Sequence, residues 1–143
     1  MKSIKFSHPV KARRVAHVKP GQNFATYRMR SCPSFTEGEI IKIVRVWPVA
    51  SGQVDLEGRR IPAKQTLFLA AVAKINPKRL VDLDQADVAL DLFPELSVEA
   101  FQQEILKMYP GKTKQHWGFQ YVLQRQRKRE YQSEEELIVV VTV

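Results

Sequence analysis

Apolar and polar residues alternate most clearly over Phe24-Ala25-Thr26-Tyr27-Arg28-Met29-Arg30, just after a glycine turn at Gly21. Successive side chains of a β-strand take opposite faces. Phe24, Thr26, Arg28 and Arg30 therefore share one face, and Ala25, Tyr27 and Met29 the other. Before this segment the pattern predicts a short strand at Ser3 to Phe6 and a helix over His8 to Val18. Ser7 is placed to cap that helix, Pro9 sits in its first turn, and Pro20-Gly21 ends it. Glu39 to Trp47 is rich in β-branched residues and reads as a strand stopped by Pro48. Val49 to Gln65 reads as a hairpin or loop, with Val54-Asp55-Leu56 paired within it. Thr66 to Ile75 reads as a buried strand closed by Asn76-Pro77, although its alanines also allow a helix.

The period then changes. Asp84 to Leu92 repeats apolar residues at helical intervals, and Ser97 caps a second helix to Tyr109 with Val98, Phe101, Ile105 and Met108 on one face. Gly118 to Gln124 and Leu137 to Val143 return to strand character. The order predicts one α+β domain over residues 1–143, built on one curved sheet.

Composition changes this picture little, and charge changes it more. With 143 residues, 44% hydrophobic and 27% charged, the chain has the balance of a folded domain. No apolar run approaches the ~18 residues of a membrane span. Met1 to Lys5 has no secretory apolar core, so the expected location is the cytoplasm and no membrane partner is expected. One cysteine, Cys32, excludes an internal disulfide and a cysteine-cluster metal site. The net charge of +8 is unevenly spread. Lys2, Lys5, Lys11, Arg13, Arg14, Lys19, Arg28 and Arg30 precede any acid. Asp82, Asp84, Asp87, Asp91, Glu95, Glu99 and Glu104 dominate the helical region, where the four aspartates read as a solvated face. Lys112, Lys114, Arg125, Arg127, Lys128 and Arg129 restore the positive sign. A molecule with one positive side attracts polyanions.

Candidate chemistry gathers on the alternating strand. A hydroxyl and two guanidinium groups on one face suit a phosphate, a carboxylate or a polar base edge. Lys112, Lys114 and Trp117 combine charge with a flat ring, the pair of features that single-stranded nucleic acid needs. Arg125, Arg127, Lys128 and Arg129 place four cations within five residues. No phosphate-binding loop or dinucleotide fingerprint occurs, and His8, His17 and His116 lack the spacing of a shared metal site. Neither a metal nor a cofactor is expected.

The helix, glycine turn, Thr-x-Arg strand and Gly38-Glu39-Ile40-Ile41 strand resemble the ASCH domains, which share a PUA-like β-barrel. Leu96-Ser97-Val98-Glu99-Ala100-Phe101 and Met108-Tyr109-Pro110-Gly111 are similar to the small bacterial members that act as acetylcytidine amidohydrolases. The resemblance covers Ile4 to Leu123 and implies a small curved barrel, with residues 125–143 as a C-terminal extension. In the family signature Gly-x-Lys-x-x-Thr-x-Arg, the glycine, threonine and arginine fall on Gly21, Thr26 and Arg28, and the lysine position holds Asn23. In the hydrolase branch the threonine is the proposed nucleophile, helped by the lysine and a carboxylate. Asn23 cannot take a proton at neutral pH. Lys19 is the nearest lysine in sequence, and the carboxylate falls near Asp91 to Glu95.

Three functions are therefore expected, in this order. The first is binding of RNA, another nucleic acid or a nucleotide. Gly21, Asn23, Thr26 and Arg28 would line the cleft, Arg14 and Lys19 would add charge at its rim, and the basic segments would hold backbone phosphates. The second is an amidohydrolase using Thr26, Lys19 and Asp91 on a modified cytidine. The third is a protein-interaction module, a homodimer through the edge of Leu137 to Val143.

Overall fold

The computed structural model describes residues 1–47, 56–58 and 63–127. The predicted pairing at Val54-Asp55-Leu56, the cations Lys128 and Arg129, and the strand Leu137 to Val143 with its homodimer edge lie outside the described residues or run out of them. The elements in order are β1 (Ser3–Phe6), α1 (Pro9–Val15), β2 (Asn23–Arg28), β3 (Ile40–Trp47), β4 (Ala63–Arg79), a 3-10 turn (Leu80–Asp82), α2 (Gln85–Leu90), α3 (Val98–Met108) and β5 (Trp117–Arg125). Arg125 is the last residue of β5.

The five strands form one mixed sheet in the order β1-β3-β4-β5-β2. β1 runs parallel to β3, and every other pairing is antiparallel. The α+β class is as expected, but the sheet is open: β1 and β2 are its two edges and do not pair. Closing a barrel requires the outer backbone groups of one edge to bond those of the other. On β2 two of those groups are already taken by side chains. The Ala25 carbonyl accepts from Lys11 Nζ at 2.7 Å, and the Tyr27 amide donates to Asp91 Oδ2 at 3.0 Å.

Pro77 does not end β4. β3 pairs with residues as far as Ala71, and β5 pairs from Ala70 to Arg79. Pro77 therefore lies where β4 has one neighbour, and its missing N–H leaves no gap in a ladder.

α1 is shorter than expected and is capped by His8, not Ser7. His8 Nδ1 accepts from the amides of Val10 and Lys11 at 3.2 and 3.3 Å. Its buried face carries Lys11, Ala12 and Val15. Asp84 caps α2 through a reciprocal exchange with Asp87, and Ser97 Oγ accepts from the Ala100 amide at the start of α3. Phe101 and Ile105 anchor α3, each worth ~1.5–3 kcal/mol relative to exposure. Met108, expected on that buried face, is 45% exposed.

Two apolar clusters result. Phe6, Val15, Phe24, Ile43, Val72 and Leu123 belong to one, between α1 and the sheet. Tyr27, Leu80, Val88, Phe93 and Phe101 belong to the other, beneath α2 and α3. β2 contributes to both, Phe24 to the first and Tyr27 to the second.

Candidate functional site

A cavity of about 220 Å³ lies between the sheet's two edges, under α1 and α3. Lys5 and Phe6 of β1, His8 and Lys11, Thr26 and Arg28 of β2, Asp91, and Glu104 and Tyr109 all contribute to its walls. Arg28 spans the gap between the edges: its guanidinium donates to the Lys5 carbonyl at 2.8 Å and rests 5.2 Å from the Phe6 ring centre. Gly118 makes this packing achievable. A Cβ there would stand 2.5 Å from Tyr27 Oη and 2.7 Å from the Arg28 carbonyl.

Lys11 and Asp91 form the back wall as a buried ion pair, each residue only 5% exposed. Lys11 Nζ donates to the Ala25 carbonyl, to the Asp91 carbonyl at 2.6 Å and to Asp91 Oδ1. All three ammonium protons are thus accounted for. Asp91 Oδ2 accepts from the Tyr27 amide. Burial pulls Lys11 below the ordinary lysine range even though Asp91 pulls it up. Burial likewise pushes Asp91 above the ordinary carboxylate range against Lys11.

Asp91 is presented by a strained turn. Leu92 follows it with φ at 67°, a left-handed conformation that costs a non-glycine residue ~1–3 kcal/mol. Arg14 holds that turn by donating to the Leu92 carbonyl at 2.7 Å and pairing with Glu95 at 2.6 Å.

Thr26 is 4% exposed, and its Oγ1 accepts from Arg28 Nε at 3.1 Å. Among the described residues no acceptor lies in reach of its own proton, which is left to point at whatever enters the cavity. On the facing wall His8 Nδ1 is committed as an acceptor, so Nε2 carries the proton and meets Glu104 Oε2 at 3.2 Å. Lys107, then His8, hold the Glu104 carboxyl below its usual range. The cavity therefore offers a hydroxyl donor, a carboxylate acceptor and flat apolar walls.

Thr26, Arg28 and Asp91 come together as the sequence suggests. The other expected members do not join them. Lys19 and Asn23 are exposed and do not line the cavity, and neither does Gly21, which turns the chain at φ 80°. Arg14 is committed to the turn at Leu92 and Glu95 instead of a rim. Arg125 is half-buried and also committed: it donates to the Val18 carbonyl at 2.5 Å and lies 4.6 Å from the Phe68 ring centre. Arg127 is exposed and approaches Gly21, and Lys114 is half-buried and lines no described hollow. Lys112 and Trp117 line a separate hollow with Arg30. Asp91 is buried rather than part of a solvated acidic face, and Asp87 is held by Lys78 and Gln120.

Lys11, His8, Glu104 and Tyr109 were not anticipated. Lys11 carries a legible signal, since positions 11, 15 and 18 fall on one helical stripe with Val15 and Val18. A cation on an apolar stripe needs a buried partner. Asp91 gives the matching signal, three residues after Val88 on the buried side of α2.

No protein-family model, curated protein or solved structure matches this chain.

Proposed function

We propose that the cavity binds the base and sugar of a nucleotide-containing ligand. The observation that carries this is the unspent Thr26 proton beside the Arg28 guanidinium in a cavity with aromatic walls. A nucleobase presents a flat face to such walls and a mixed donor and acceptor edge to the hydroxyl and to Glu104. The Lys11–Asp91 pair serves this site by position. It closes the outer edge of β2 and fixes Thr26 between two bonded neighbours, Ala25 and Tyr27. A PUA-like, ASCH-type ancestry accords with the Thr26-x-Arg28 placement; the open sheet departs from that fold's barrel.

Titration calorimetry with the nucleosides and their 5′-monophosphates tests the reading. Thr26→Val, close in shape and without a hydroxyl, should weaken the best ligand roughly 2- to 13-fold, the worth of one neutral hydrogen bond. Unchanged affinity in Thr26→Val and Arg28→Lys alike would remove the cavity from consideration.

A second reading is favoured by one observation: a hydroxyl, an ammonium and a carboxylate share the cavity, as hydrolysis of an acylated cytidine by Thr26 requires. Here Lys11 from α1, and not Lys19, takes the place of the lysine absent at Asn23. Its burial eases loss of a proton, while its three internal bonds hold that proton in place. Deacetylation of N4-acetylcytidine, followed by absorbance and abolished in Thr26→Val, is the test. No spectral change at high protein concentration ends this reading.

A further inference from the structure

The cavity does not end at Arg28. Lys5 and Arg28 also line a second hollow, which extends past Lys2 and Tyr121 to Arg30. Arg30 in turn lines a third, with Lys112, His116, Trp117 and Phe119. The pairing of β2 with β5 explains the sequence of these hollows. Thr26 lies opposite Tyr121 and Arg28 opposite Phe119, the last pair of that ladder, and Arg30 follows just beyond it on the wall of the third hollow, beside Trp117 at the start of β5. Directly opposed residues share a face. One face of this strand pair therefore leads from the cavity to Phe119, and the third hollow joins Phe119 to the indole.

Charge along the path has a single sign. Lys2, Lys5, Arg28, Arg30 and Lys112 line the second and third hollows, and no carboxylate lines either. Lys2 shares its charge with Glu39 at 3.8 Å. Among the described residues, Arg30 and Lys112 hold no ion pair or side-chain hydrogen bond. Trp117 at the far end is 61% exposed, with the Arg79 guanidinium 5.9 Å from its ring centre. An exposed indole on a hollow shared with the uncommitted Arg30 and Lys112, its ring flanked by an Arg79 that Asp82 and Gln115 hold in place, matches a base-stacking platform with phosphate sites beside it.

We propose that the ligand is a single-stranded nucleic acid that follows this path. One base sits in the cavity, the backbone runs over Lys5, Arg28, Arg30 and Lys112, and a neighbouring base stacks on Trp117. This rests on the reading of the cavity as a base pocket and assigns the polymer to it. The extended hollows set the preference for single strands, because one base can enter the cavity and another stack on the indole only when both are unpaired.

The experiment compares a fluorescein-labelled six-nucleotide single strand, as RNA and as DNA, with its duplex and with nucleoside 5′-monophosphates. Trp117→Ala, Arg30→Gln and Lys112→Gln alter exposed side chains outside the cavity. Trp117→Ala should weaken the single strand about 5- to 150-fold. Each glutamine variant should lower the slope of log affinity against log salt by about one. Monophosphate binding should stay within about twofold in all three. If the single strand binds no better than a monophosphate, or is indifferent to these substitutions, the path is refuted and the cavity stands. If the single strand responds to Trp117→Ala but not to Thr26→Val, the cavity reading fails and the surface path survives without it. Preference for the duplex, or equal competition by an acidic peptide, also overturns the proposal.

Discussion

Removing both members of the Lys11–Asp91 pair should cost more than the electrostatics of the pair predicts. A buried ion pair replaced whole by apolar residues of similar volume is often neutral or stabilising, because two desolvation penalties vanish with it. Here the pair has a second task. Lys11→Met with Asp91→Leu also strips the Ala25 carbonyl and the Tyr27 amide of their partners on the outer edge of β2. The carbonyl of residue 91 loses its partner as well, and with each orphaned buried backbone group costing ~1–3 kcal/mol the double variant should lose ~3–9 kcal/mol. The single variant Lys11→Met should lose ~3–5 kcal/mol near neutral pH, because it leaves a buried carboxylate without its counter-charge. That deficit should narrow in mild acid. Burial already raises Asp91 above its ordinary range, and without Lys11 it takes up a proton more readily. Urea unfolding of the wild type, both single variants and the double variant at pH 7 and pH 5 supplies every quantity. A double variant as stable as the wild type would refute the edge-sealing role.

Other substitutions test the remaining geometry. Gly118→Ala drives a methyl group into Tyr27 Oη and the Arg28 carbonyl, and should cost ~1–3 kcal/mol by thermal unfolding while displacing Arg28 enough to weaken ligand binding. Asp87 feels burial most strongly, which raises its pKa, yet the hydrogen bonds from Asp84, Lys78 and Gln120 together leave it below its ordinary value. A carboxyl depressed in the folded state stabilises above its unfolded pKa and loses that contribution as pH falls through the folded value. Asp87→Asn should therefore flatten the loss of stability below about pH 4, measured by acid titration of the circular dichroism signal. Tyr27→Phe removes the hydrogen bond from Oη to the Lys78 carbonyl, and a drop of ~0.5–1.5 kcal/mol is expected in the same urea assay.

Much of this architecture is legible in local patterns. The strand from Phe24, the β-branched run after Glu39, and the helix capped by Ser97 each follow from one dominant period. What escapes is set by contacts between distant segments. Pro77 looks like a terminator until β3 is known to stop short of it. His8 outcompetes Ser7 as a cap because its ring can bond two amides at once while meeting Glu104, 96 residues away. Arg14 and Arg125 look like surface charges because sequence does not reveal the carbonyls they cap, those of Leu92 and Val18. The candidate site was half visible. Thr26 and Arg28 stand two apart on one strand, whereas the lysine facing Asp91 comes from a helix, and proximity in sequence pointed to Lys19 instead.

The lysine that seals β2 is carried by α1, and this joins the first helix mechanically to the rear of the cavity. α1 cannot lift off without withdrawing the ammonium from under Ala25 and exposing the strand's rim. A molecule lodged against Thr26 should therefore slow amide hydrogen exchange in α1, along the helix backbone, as strongly as it does in β2.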